Sequence, residues 1–138
     1  MVRQIINTDY PLLCSWWGAR QSYYIPQEFL PEESYLVHYG RKPVLAMFIL
    51  IPKGNITRVG WIMGIVSNPD YKAVGKELRH RAWAELDKFL DDMSTNWGVD
   101  TLFTFSSSIG LTKKLESLDF VCHEPHMQGL FKNIGLNV

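Results

Sequence analysis

Hydrophobic and polar positions along the chain change period several times, and each change marks an element. Residues 2–6 are rich in β-branched side chains, and Asn7, Thr8 and Asp9 behind them suit a turn and a helix N-cap, so a strand followed by a helix is predicted. Leu13, Trp16, Trp17 and Arg20 then recur at helical spacing, with Pro11 tolerated in the first turn, which predicts a helix over residues 10–21 that ends near Ser22. Both periods fail over residues 23–33, where Pro26 and Pro31 bracket Gln27, Glu28, Phe29 and Leu30. This stretch is a loop or an irregular short helix.

Residues 34–39 and 43–51 are strand-like runs separated by Gly40, Arg41 and Lys42, the spacing of a hairpin. The apolar run between Pro43 and Pro52 is long enough for a strand and too short to span a bilayer. After a turn at Lys53, Gly54 and Asn55, residues 56–67 form a further strand, carried by Val59, Trp61, Ile62, Met63, Ile65 and Val66. Gly60 and Gly64 within it mark a bulge or the close approach of another backbone or a ligand.

Asn68, Pro69 and Asp70 end that strand, and the longest helical pattern follows. Val74, Leu78, Ala82, Leu86, Leu90 and Met93 repeat at the helical period, with Trp83 and Phe89 widening the apolar stripe. Gly98 stops this helix, and residues 99–105 resume a buried strand. Ser106, Ser107 or Ser108 caps a following helix that carries Leu111, Leu115 and Leu118, and residues 120–122 and 128–134 supply two closing strands around Glu124 and Pro125. Strands interleaved with helices in this order predict a mixed α/β layer architecture.

Composition narrows the field. Of 138 residues, 46% are hydrophobic and 20% charged, the balance of a folded chain long enough to bury a core as one domain. Lysine plus arginine equals aspartate plus glutamate at 14 each, so no net field favours nucleic acid or an anionic membrane. Cys14 and Cys122 lie in different halves without C-x-x-C spacing, and they read as buried or free thiols of a reducing compartment. Arg3, Asn7 and Asp9 interrupt any signal-peptide pattern, and a cytoplasmic location is the expectation. His80, His123 and His126 show no metal-ligand spacing, so no metal site is expected.

The order of elements, with the long helix springing from the end of the preceding strand, resembles the GNAT N-acetyltransferase superfamily over essentially the whole chain. The segment WIMGIVSNPDYKAVGKELRHRAWAELDKFL, residues 61–90, carries the likeness best. The resemblance implies a central, mostly antiparallel twisted sheet with a splayed strand pair and helices on both faces. It also implies acetyl-CoA as co-substrate and an amine as acceptor. Backbone at Ile65, Val66 and Ser67 would pair with pantetheine, and Lys72, Ala73, Val74, Gly75 and Lys76 would hold the pyrophosphate. The second half, SSSIGLTKKLESLDF, resembles the segment where these proteins place a polar residue after a strand and a Gly-Phe pair after a short helix. Ser106 is thereby a cofactor-binding candidate; Phe120 matches, and Asp119 stands where glycine is usual. The opening DY-x-LL-x-x-WW, the loop at Phe29, Leu30 and Pro31, and the run Val66, Ser67, Asn68, Pro69 resemble small GNAT-like proteins of tailed phages, which would place the chain in a host cytoplasm.

The physics of such a site is general: amides at a helix N-terminus lack partners, and the helix dipole favours an anion there. The alternative for the loop is an ordinary strand-to-helix turn with a solvated lysine pair. Several positions depart from the family pattern. Lys72 opens the loop motif, Glu77 replaces its last glycine, the loop is short, and Leu115 occupies the place of the tyrosine that often serves as general acid. The strand over residues 56–67 carries no carboxylate, which leaves Glu28, His38 and His126 to handle protons; Glu28 and His126 are the catalytic candidates. Trp16 and Trp17 read as core, whereas Tyr23 and Tyr24 are candidates for a pocket wall. Two other readings follow from these departures. One is a catalytically degenerate GNAT-like, phage-associated binding or virion protein. The other is a homodimeric α/β domain without transfer, which a closed strand edge near Ile65 would favour.

Overall fold

The structure, a computed structural model, describes residues 1–54, 58–70, 75–106, 109–124 and 129–134. In chain order the elements are β1 (Val2–Gln4), α1 (Tyr10–Ala19), β2 (Glu33–Tyr39), β3 (Lys42–Leu50), β4 (Val59–Ser67), α2 (Lys76–Trp97), β5 (Thr101–Phe105), α3 (Ile109–Ser117), β6 (Val121–Glu124) and β7 (Gly129–Asn133). Single 3-10 turns occupy Asn7–Asp9 and Gln27–Phe29, the second of them inside the stretch read as irregular. The chain divides into two compact units, Met1–Ile49 with Gly64–Leu86, and Leu50–Met63 with Asp87–Val138. Among the described residues no helix is long and apolar enough to cross a membrane.

In the first unit the strand order is β1-β2-β3-β4, with β1 antiparallel to β2 and β2 antiparallel to β3. The apolar run of β3 has a simple cause: both faces are covered. Phe48, paired with Ser34, meets Trp17 of α1 at 5.5 Å between ring centroids. On the opposite face of β2, Tyr39 lies under Arg81 of α2, 5.2 Å from the ring centroid. Leu36, Val37, Ala46, Met47, Phe48 and Ile49 are therefore all buried, as expected for a strand pair sandwiched between helices. Trp16 and Trp17 are core residues, as their helical spacing predicts. A two-residue turn at Gly40 and Arg41 joins β2 to β3, with Gly40 at φ +59°, where a side chain would be strained.

Entry into α1 differs from a simple side-chain cap. Asp9 holds the N-cap position, but its carboxylate reaches back to the Ile6 amide at 2.8 Å and takes both guanidinium nitrogens of Arg3 at 2.8 Å. Helix α1 ends at Ala19, short of the expected Ser22, before Gln21 turns to φ +52°.

In the second unit the order is β4-β5-β7-β6, with β4 and β5 parallel and the remaining pairs antiparallel. At Gly60 the close neighbours are side chains, not the backbone or ligand expected. A Cβ there would stand 2.9 Å from both Ile51 Cδ1 and Leu102 Cδ2. Leu90, Leu102, Leu115, Phe120, Leu130 and Ile134 are among the buried apolar residues of this unit. Lys132 joins them, with its ammonium 2.7 Å from Asp87 Oδ1, donating to the Leu118 carbonyl, and 5.6 Å from the centroid of the Phe120 ring. Helix α2 runs beyond Met93 to Trp97 because Trp97 packs on Phe89, and Gly98 at φ +64° then ends it. Asp119 closes α3 at φ +68°, which explains why glycine is the usual residue in the resembled family.

Candidate cofactor site

The site is built outward from the end of β4. Val66 is buried, and Ile65 and Ser67 are half-buried as the strand leaves the sheet. Asn68 then fixes the exit to β3. Its amide donates to the Val44 carbonyl at 2.8 Å, its side-chain Nδ2 donates to the Pro43 carbonyl at 2.9 Å, and its Oδ1 accepts from the Asp70 amide at 2.9 Å. The last of these is an Asx-turn, the means by which asparagine turns a chain without a partner strand.

Gly75 re-enters the described chain at φ +85°, and its carbonyl accepts the first bond of α2 from the Arg79 amide at 3.2 Å. Gly75 is thus the N-cap. The amides of Lys76, Glu77 and Leu78 precede that first bond and have no acceptor inside the helix, which leaves a positive end at this turn. Nothing lies within 4 Å of a Cβ built on Gly75. The glycine is required by its backbone conformation, not by crowding. Lys76 is exposed beside it. Lys72, Ala73 and Val74 lie outside the described residues.

In the second unit the register of β4 with β5 comprises Val59↔Thr101, Gly60↔Leu102 and Trp61↔Phe103. The next bond is made by a side chain: Thr104 Oγ1 donates to the Ile62 carbonyl at 2.9 Å. A hydroxyl takes over where the backbone ladder stops. Ser106, one residue past β5, is buried.

The remaining candidates are scattered. Glu28 is exposed on its 3-10 turn. His38 sits on β2 with Nδ1 3.0 Å from the Gly40 carbonyl. His126, Ser107 and Ser108 lie outside the described residues. Tyr23 is 97% exposed and walls no pocket, which corrects that expectation, whereas Tyr24 leans on Trp17 at 6.0 Å between centroids. Leu115 is buried in α3. Sequence periodicity did not single out Arg20 as a site residue, yet its Nη2 donates to Ser67 Oγ at 2.8 Å and to the Asn68 carbonyl at 3.3 Å.

No protein-family model matches the sequence, and a search of curated proteins likewise finds no match. Solved structures do match. A mutant of spermidine N-acetyltransferase SpeG from Vibrio cholerae superposes with a TM-score of 0.71 at 13% identity, covering 99% of this chain and 96% of that one. Ard1 from Thermoplasma volcanium gives 0.69 at 10% identity, with 97% of each chain covered. N-acetylglutamate synthase from Neisseria gonorrhoeae, complexed with coenzyme A and L-arginine, gives 0.69 at 15% identity over 97% of this chain, which spans 33% of that protein. The chain therefore has the mixed α/β fold found in N-acetyltransferases.

Proposed function

We propose that this protein is an acetyl-CoA-dependent N-acetyltransferase acting on an amine. The observation that carries the reading is the passage from β4 into α2. A strand fastened by Asn68 leads to a helix whose first amides, after its Gly75 cap, have no acceptor within the helix, on a chain with the acetyltransferase fold. In this reading the backbone of Ile65, Val66 and Ser67 pairs with pantetheine, and residues 72–76 receive the diphosphate. Ser106 contacts the cofactor from the end of β5.

The acceptor nitrogen attacks the thioester carbon, the C–S bond breaks, and coenzyme A leaves as its thiolate while the amine loses a proton. Leu115, where the resembled family often has a tyrosine, offers no proton to that thiolate. Glu28 and His126 are assigned the amine proton, and the pH profiles of Glu28→Gln and His126→Ala test that assignment against wild type. One neighbour is named as a spermidine N-acetyltransferase, and spermidine is an amine, which supports the acceptor class.

Isothermal titration with acetyl-CoA tests the reading directly: binding is expected, and its absence at millimolar ligand removes it. Gly75→Val places a β-branched residue at φ +85°. The strain, about 1–2 kcal/mol, should weaken binding roughly fivefold to thirtyfold.

A further inference from the structure

We infer that Arg20 belongs to the cofactor site, its guanidinium being the cation that meets the diphosphate of coenzyme A where β4 ends; the assignment rests on the acetyl-CoA reading above. Three observations lead to it.

The first is position. Arg20 closes α1, its amide donating to the carbonyl of buried Trp16 at 3.0 Å, and its side chain crosses to the exit of β4. There Nη2 donates to both Ser67 Oγ and the Asn68 carbonyl. Asn68 is itself bonded to β3 through its backbone and side chain, so the guanidinium is held at a fixed point of the sheet. That point lies at the junction from which the chain departs toward Gly75.

The second is charge. From Asn68 to Glu77 the sequence carries Asp70 and Glu77 against Lys72 and Lys76, two acids and two lysines, a formal sum of zero. A dianionic diphosphate gains nothing from that balance. Arg20 brings the local sum to +1 without lengthening the loop.

The third is chemistry. A guanidinium presents its donors as a planar fork that matches phosphate oxygens, whereas an ammonium acts as a point charge. Nη2 bonds Ser67 Oγ and the Asn68 carbonyl, which helps to orient the plane of the fork. The missing loop glycine, replaced by Glu77, removes one place where backbone could approach phosphate, and a side-chain donor compensates for that loss.

The test titrates coenzyme A, 3′-dephospho-coenzyme A and pantetheine against wild type, Arg20→Gln and Arg20→Lys, with thermal melts to confirm folding. Arg20→Gln should weaken both nucleotide ligands by about tenfold, as loss of a charge-assisted contact does, with a shallower salt dependence and no change for pantetheine. Arg20→Lys, which keeps the charge and loses the fork, should weaken the same two ligands several-fold. It keeps the test valid if Arg20→Gln does not fold. Unchanged coenzyme A affinity in both variants overturns the assignment. So does an equal loss on pantetheine, which would mean general damage to the strand exit, or a loss confined to the ligand bearing the 3′-phosphate. A wild-type chain that binds no coenzyme A defeats the acetyl-CoA reading and this one together. A binding wild type with unaffected variants defeats the Arg20 assignment alone.

Discussion

Replacing Asp87 by alanine tests the energetics of the second unit most sharply. Lys132 is 6% exposed, and its charge is balanced by the Asp87 carboxylate at 2.7 Å, with the Leu118 carbonyl and the Phe120 ring as further contacts. Removing one partner of a fully buried pair costs about 3–5 kcal/mol, because the other charge stays buried and uncompensated. Asp87 is 27% exposed, so water reaches its side and about 2–3 kcal/mol is the expected loss. For 138 residues the unfolding entropy is about 0.3 kcal/mol per degree, so the melting temperature should fall by roughly 7–10 °C. Lys132→Met fills similar volume and leaves a carboxylate that solvent can hydrate, so about 1 kcal/mol and roughly 3 °C are expected. The double variant should be no worse than Asp87→Ala alone. Differential scanning calorimetry on the four proteins gives the ranking. If Asp87→Ala melts within 2 °C of wild type by this roughly 3 °C-per-kcal/mol scale, or Lys132→Met is the more damaging change, the account of an uncompensated charge is wrong.

Three further outcomes follow from particular contacts. Asp119→Gly relieves a side chain at φ +68° and should raise the melting temperature by about 2–3 °C, a gain of about 0.5–1 kcal/mol; a fall would show that the aspartate side chain contributes more than its backbone strain. Gly60→Ala drives a methyl to 2.9 Å from Ile51 and Leu102 and should cost about 1–3 kcal/mol, read from the urea midpoint. The Asp9 carboxyl is held below its ordinary value of 3.8, first by the hydrogen bonds from Arg3, against the opposing effect of burial. A depressed folded value means that this stability is present above the ordinary value and lost as pH falls through the folded one. Asp9→Asn should therefore flatten the acid limb of the stability curve, and an unchanged limb below about pH 4 would refute the linkage.

The elements most legible in the sequence are those whose packing is uniform along their length. Helix α2 faces apolar neighbours on one stripe, so Leu78, Ala82, Leu86 and Leu90 announce it, and β3 is covered on both faces, so it reads as a continuous apolar run. Gly60 marks a crowded point of β4, but the crowding comes from the side chains of Ile51 and Leu102 and not from a backbone or a ligand. The end of α2 was legible too, since Gly98 stops it after Trp97, whereas the entry into α1 was not, because Arg3 draws Asp9 away from a plain cap. Site chemistry was least legible. Arg20 shares the spacing of a helix-stripe residue, and nothing local reveals that its head lies against Ser67, 47 positions away. Gly75, named from the sequence only as part of the resembled phosphate loop, stands at φ +85°, a conformation that no periodicity reveals. Nothing in the sequence singles out Lys132, whose burial follows from its pairing with Asp87.

The three bonds of Asn68 make it a hinge pin for variation in this chain. Because the residue is tied to Pro43 and Val44 on one side and turns the chain at Asp70 on the other, whatever follows can change length without disturbing the register before it. An engineer could graft a longer, glycine-rich connection immediately downstream and inherit an unaltered strand terminus. Natural divergence has the same freedom, so shortening there need not signal decay of the scaffold that presents it.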